Sequence, residues 1–142
     1  CSLTVNAIIK FFERVDCEFN PMISERISLT EYSKKIYEFA EINCFFNLTD
    51  DIVSLIAFYL NRNTSIGYIT ILATDPSYRC RGLGAKLLES CVNRCSSENM
   101  DKLMLEVSNT NYVALSLYYK NGFFQFAAAP KDIGKIFLEK TL

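Results

Sequence analysis

Ahead of Lys86 the sequence reads Asp75-Pro76-Ser77-Tyr78-Arg79-Cys80-Arg81-Gly82-Leu83-Gly84-Ala85, two arginines leading into two closely spaced glycines. Those types at that spacing suit an anion. Between a strand and a helix, such a loop presents unpaired N–H groups and the positive end of a helix dipole. Gly82 and Gly84 carry no side chain to hold a phosphate off the backbone, and they permit the positive φ that turns successive N–H groups into one concavity. Arg79 and Arg81 add charge to the rim. An ordinary tight turn with two solvated arginines has the same composition, so the loop alone leaves both readings open. Two nucleotide motifs are excluded: a P-loop needs Gly-Lys-Ser/Thr where Ala85-Lys86-Leu87 stands, and a dinucleotide fingerprint needs a small third residue where Leu87 stands.

A second position with chemistry is Glu106, which interrupts the apolar stretch Leu103 to Val107. A carboxylate there is costly unless it is ion-paired or has work to do as a base. Either reading fits the residues. The chain has no histidine, which removes every Ser-His-Asp triad, His base and His-containing metal site. Its six cysteines form no C-x-x-C pair, and Cys91 and Cys95, one helical turn apart, read as small apolar residues on a buried helix face. No metal site is expected. Scattered free thiols fit a reducing compartment, and no run approaches the ~20 apolar residues of a membrane helix, so a cytoplasmic protein without a membrane partner is expected. A net charge of -1 over 142 residues, with no basic stripe, argues against nucleic acid as partner.

The elements that must position these residues follow from periodicity. Val5, Ile8, Ile9, Phe12 and Val15 predict a helix over 4–15; after a loop at Asn20-Pro21, Thr30 is expected to cap a second helix with Tyr32, Ile36, Phe39 and Ala40 on its apolar side. Ile42 to Phe46, Ile52 to Leu60 and Ile66 to Thr74, separated by turn-forming stretches, predict three antiparallel strands. A helix carrying Leu87, Leu88, Cys91, Val92 and Cys95 follows the glycine loop. Leu103 to Val107 reads as a strand buried on both faces, Asn111 to Tyr119 as a helix stopped by Gly122, and Phe123 to Ala128 and Ile133 to Leu138 as two last strands. The β-α-β step over 66–107 requires a right-handed crossover and a parallel pair within a largely antiparallel sheet. The fold class is α+β with helices on both faces, one domain over residues 1–142.

The run from Asp75 to Leu88 resembles motif A of the GNAT family of N-acetyltransferases, Arg/Gln-x-x-Gly-x-Gly/Ala after a strand. Leu105-Glu106-Val107 followed by Asn111-x-x-Ala114-x-x-Leu117-Tyr118-x-Lys120-x-Gly122-Phe123 is similar to the family's motif B. Together they cover residues 66–124 in the family's order; the first 65 residues match in element order only. Cys80 departs from the pattern, which has glycine there, and must either keep a φ that a cysteine adopts readily or strain the loop. The resemblance implies a V-shaped splay between two central parallel strands.

Further implications rest on the same resemblance. Acetyl-CoA, as co-substrate, would lie in the splay with its pyrophosphate on the N–H groups of Cys80, Arg81, Gly82, Leu83, Gly84 and Ala85 near Arg79. Its pantetheine would run beside Leu72, Ala73 and Thr74 as an added strand, an N–H near Leu72 polarising the thioester carbonyl. Asn111 would reach the pantetheine or serve as a plain helix cap. Glu106 matches a carboxylate that removes the amine proton in some relatives, and Tyr118, rather than Tyr119, matches the proton donor to the departing thiolate. The activity implied is direct acetyl transfer to a primary amine of a small molecule such as an amino sugar, an acceptor drawn from a similarity of Asn20 to Lys35 to members acting in polysaccharide biosynthesis. A peptide or protein amine is the alternative acceptor, and a CoA-binding regulatory module without turnover the alternative of another class. A monomer or homodimer is expected.

Overall fold

The computed structural model describes residues 2–126 and 134–142. Helix α1 (Val5–Val15) starts where the Thr4 hydroxyl accepts the Ala7 N–H at 3.1 Å, and it buries Ile8, Phe11, Phe12 and Val15. Helix α2 (Leu29–Phe39) is capped by Ser28, which accepts from the Glu31 N–H at 3.3 Å, and not by Thr30. Ser28-x-x-Glu31 is a capping-box pattern, so the earlier hydroxyl wins. Phe39 is 67% exposed, against expectation. The buried stripe runs through Ser33 and Ile36 and continues at Ala40, and position 39 lies about a quarter-turn off it.

Strands β1 (Glu41–Phe46), β2 (Ile52–Asn61) and β3 (Ile66–Thr74) form the expected antiparallel meander. Helix α3 (Leu83–Ser97) begins inside the glycine loop, four residues before Leu87, so Leu83, Gly84 and Ala85 make its first turn. Strand β4 (Lys102–Ser108), helix α4 (Tyr112–Lys120), β5 (Phe124–Gln125) and β6 (Lys135–Thr141) complete the described chain. The expected strand ends Ala128 and Ile133 lie outside the described residues. The sheet order is β1-β2-β3-β4-β6-β5, antiparallel throughout except for the parallel pair β3–β4.

Strand β2 explains its unbroken apolar run. Ile52, Leu55 and Ala57 pack with α1 and α2 on one face, while Ile56 and Phe58 pack with α3 and α4 on the other. Strand β4 is not buried on both faces: Leu103, Leu105 and Val107 are buried, but Met104 and Glu106 on the opposite face are half-buried.

Candidate active site between two parting strands

Strands β3 and β4 pair only from Ile66↔Lys102 to Ile69↔Leu105. Beyond that point β3 continues to Thr74 and β4 to Ser108 without a ladder between them, which is the V-shaped opening. On its other side β3 stays paired with β2 as far as Thr74, with a register shift near Thr70 of the kind that turns a strand locally. The inner edge of β3 at residues 70–74 therefore carries backbone groups with no strand partner. A cavity of about 530 Å³ fills the opening, lined by Leu72, Glu106, Asn111 and Tyr118 among others, together with Phe19, Pro21, Ile23 and Ile27 from the segment joining α1 to α2 and Tyr32 of α2.

The structure brings Glu106 and Tyr118 to this cavity and leaves Tyr119 48% exposed on the outer face of α4. Tyr118 is 6% exposed, its ring edge-on to Phe123 at 5.5 Å. Burial pushes its phenol well above the ordinary value, with the Cys91 thiol a lesser contributor. Glu106 pairs with Lys135 of β6, Oε1 to Nζ 3.4 Å, the two side chains 25% and 20% exposed. Asn111 caps α4, its Oδ1 accepting from the Ala114 N–H at 3.2 Å, while its amide also faces the cavity; capping and contact are compatible.

Ala73, Thr74 and the residues from Arg79 to Ala85 lie outside the cavity wall, at the mouth of the splay where β3 hands over to α3. Gly82, at φ +75°, is the N-cap of α3 and supplies no side chain to its first turn. Among the described residues, no carbonyl or side chain accepts from the N–H groups of Cys80 through Ala85. A Cβ at Gly82 would meet nothing within 4 Å, so the space above the loop is open. Cys80 adopts φ +64° and does not escape the left-handed region that its family pattern fills with glycine. Arg81 stacks its guanidinium on Tyr78 at 4.9 Å, and Arg79 reaches across to Glu18 at 3.4 Å. Cys91 and Cys95 are buried in the α3 core face, as their spacing predicted.

Residues that the sequence reading did not single out also line this cavity. Lys135 is one. Tyr32 is another: its hydroxyl meets Thr70 Oγ1 at 3.1 Å, tying α2 to the shifted register of β3, and burial raises its phenol. Arg26 and Glu18 bring charge from the α1–α2 segment.

Comparison with known proteins agrees with this geometry. The model of the Acetyltransferase (GNAT) family matches residues 9–123. N-alpha-acetyltransferase 30 of Saccharomyces cerevisiae is 38% identical over 66 residues, 46% of this chain and 38% of that protein, so the chain spans well under half of that relative's length. The fold is that of the Escherichia coli ribosomal-protein-S18-alanine N-acetyltransferase, with a TM-score of 0.76 at 20% identity over 99% of this chain and 91% of that one. It is equally close to an N-acetyltransferase of Thermoplasma acidophilum solved in complex with coenzyme A, TM-score 0.74 at 16% identity over 100% and 97% of the two chains. With a family match spanning most of the chain and a six-stranded sheet whose one parallel pair parts beyond Ile69 and Leu105, the chain belongs to the GNAT acetyltransferase family.

Proposed function

We propose that the chain is an acetyltransferase domain that moves the acetyl group of acetyl-CoA directly to the α-amino group of a polypeptide. The observation that carries this is the parting of β3 from β4, with Glu106 and Tyr118 both lining the one cavity that opens there. A CoA-binding module without turnover has no use for that pair. The polypeptide acceptor is supported by the yeast and E. coli relatives, one named an N-alpha-acetyltransferase and the other for the alanine of a ribosomal protein, and it takes precedence over the small-molecule amine expected from the sequence. The free thiols Cys17, Cys44, Cys80, Cys91 and Cys95 favour a reducing, cytoplasmic setting, and among the described residues no helix is long and apolar enough to cross a membrane.

Acetyl-CoA fits the residues present. The unpaired N–H run from Cys80 to Ala85 suits a diphosphate, and the unpartnered edge of β3 beside Leu72, Ala73 and Thr74 suits an extended amide chain added as a strand. A β3 N–H near Leu72 then stabilises the oxyanion that forms when the amine attacks the thioester carbon. Glu106, through water, accepts the proton that the attacking nitrogen loses. The C–N bond forms and the C–S bond breaks. The Tyr118 O–H donates to the departing sulfur, and because burial raises its phenol, it holds that proton at every pH where the enzyme would work.

The test is a panel of acceptors, peptides with free N-termini alongside amino sugars and polyamines, incubated with acetyl-CoA and read by product mass. Acetylated peptide N-termini are expected. Turnover confined to amino sugars or polyamines would overturn the polypeptide reading and keep the acetyltransferase.

A further inference from the structure

Both carboxylates on the cavity wall are held by basic side chains. Among the described residues that line it, the charged groups are Glu18, Arg26, Glu106 and Lys135. Glu18 is held by Arg79 at 3.4 Å, and Glu106 by Lys135 at 3.4 Å. Glu106 faces Lys135 from β6 and Tyr68 from β3; Tyr118 of α4, Tyr32 of α2, and Glu18 and Arg26 of the α1–α2 segment occupy the remaining walls. The carboxylate that would draw a substrate cation is thus already matched by an ammonium inside the same cavity. An incoming alkylammonium meets Lys135 as a like charge, whereas a neutral amine meets no such opposition.

We propose that Lys135 is a specificity-determining residue, neutralising Glu106 so that the site accepts weakly basic α-amino groups and disfavours lysine ε-amino groups. The inference rests on the α-amino reading above and names the residue that enforces it. Its physical basis is the difference in basicity. An α-amino group titrates near 7.7–8.0 and a lysine near 10.4, so at pH 7 roughly 300 times more of the α-amine is neutral. A bare carboxylate would bind and deprotonate either ammonium. A carboxylate paired with Lys135 leaves the acceptor's own basicity in control. The three tyrosines nearest this chemistry, Tyr32, Tyr68 and Tyr118, are all pushed upward, chiefly by burial, and keep their protons between pH 7 and 9.

The experiment compares two peptides with acetyl-CoA, one with a free N-terminus and no lysine, the other with a blocked N-terminus and one lysine, reading kcat/KM from product mass. In the wild-type protein the ratio of α to ε transfer is expected to favour α at pH 7 and to fall about tenfold by pH 9, because the neutral ε-amine grows ~100-fold over that interval and the neutral α-amine less than tenfold. Lys135→Gln should lower the pH 7 ratio at least tenfold, while Lys135→Arg, which keeps the charge, retains it. A pH-independent ratio, or a Lys135→Gln protein with the wild-type ratio, overturns the proposal. If Lys135→Gln does not fold, as judged by its melting curve, Lys135→Met takes its place with the same expected fall in the ratio. Transfer to neither peptide overturns the polypeptide reading and this inference with it, whereas α transfer with an unchanged ratio overturns this inference only.

Discussion

Adjacent phenols on one helix have different fates because α4 turns only one of them inward. Tyr118 is buried at the cavity and Tyr119 is half in solvent. Tyr118→Phe removes a single hydroxyl, so acetyl-CoA should bind normally while kcat falls by ~10²–10⁴, and Tyr119→Phe should match wild type. Equal losses in steady-state assays of the two would remove Tyr118 from its role. Glu106→Gln keeps the shape and deletes the basic oxygen that takes the proton the nitrogen loses on attack, so turnover should drop by ~10²–10⁴ at neutral and alkaline pH alike. A rate matching wild type across the pH range would assign the proton to solvent. Cys80 makes a different point: an exposed thiol at φ +64° contributes little packing and carries the cost of a left-handed backbone. Cys80→Gly should stabilise the fold by up to about 1 kcal/mol, a rise of a few degrees in Tm.

At the scale of elements, the opening depends on how tightly the two parallel strands close at their other end. Gly67 sits opposite Leu103 in the paired half, and a Cβ there would lie 2.9 Å from Cys95 Sγ and 3.1 Å from Leu103 Cδ1. Both neighbours are fully buried, so neither moves aside without disturbing the α3 interface. Gly67→Ala should therefore cost about 1–3 kcal/mol, read as a lower urea midpoint with an unchanged slope. A neutral result would mean that α3 rides more loosely on β3 than its buried Leu87, Leu88, Cys91 and Cys95 imply.

Across the whole molecule, ion pairs join the loop before α3 to the first helices. Arg14 of α1 holds Asp75 at 3.2 Å and also donates to the Ile52 carbonyl, and Arg79 holds Glu18. Ligand bound at the loop should thus stabilise the fold as a unit. Acetyl-CoA at a hundredfold excess over its Kd should add about 2.7 kcal/mol, seen as a rise in Tm. Gly82→Asp puts a negative charge and a strained residue in the open space above α3, and should abolish that rise. An unshifted wild-type melting curve would count against acetyl-CoA altogether, whereas a normal shift in Gly82→Asp would move the phosphate site off this loop.

Local pattern was sufficient for much of this protein. The stretch from Arg79 to Gly84 marks a loop that ends in a helix, Leu103 to Val107 marks a strand with a carboxylate in it, and the order of elements requires a parallel pair. Each is legible because it depends on neighbours in sequence: helical period, strand alternation and turn chemistry. The cap of α2 was misplaced at Thr30, where Ser28-x-x-Glu31 carries the stronger capping signal, and the inward stripe of that helix was misphased at Phe39. Three things were decided by tertiary structure. The pairing of β3 with β4 stops at Ile69 and Leu105, which turns a strand expected to be buried on both faces into one wall of a cavity. Cys80 takes a positive φ because the loop must turn there whatever residue occupies it. Lys135 meets Glu106 although the two lie 29 positions apart in sequence, because β6 returns antiparallel to β4 and sets its first residue beside the cavity. No local period encodes that meeting, since it is created by the register between strands that only the folded sheet brings together.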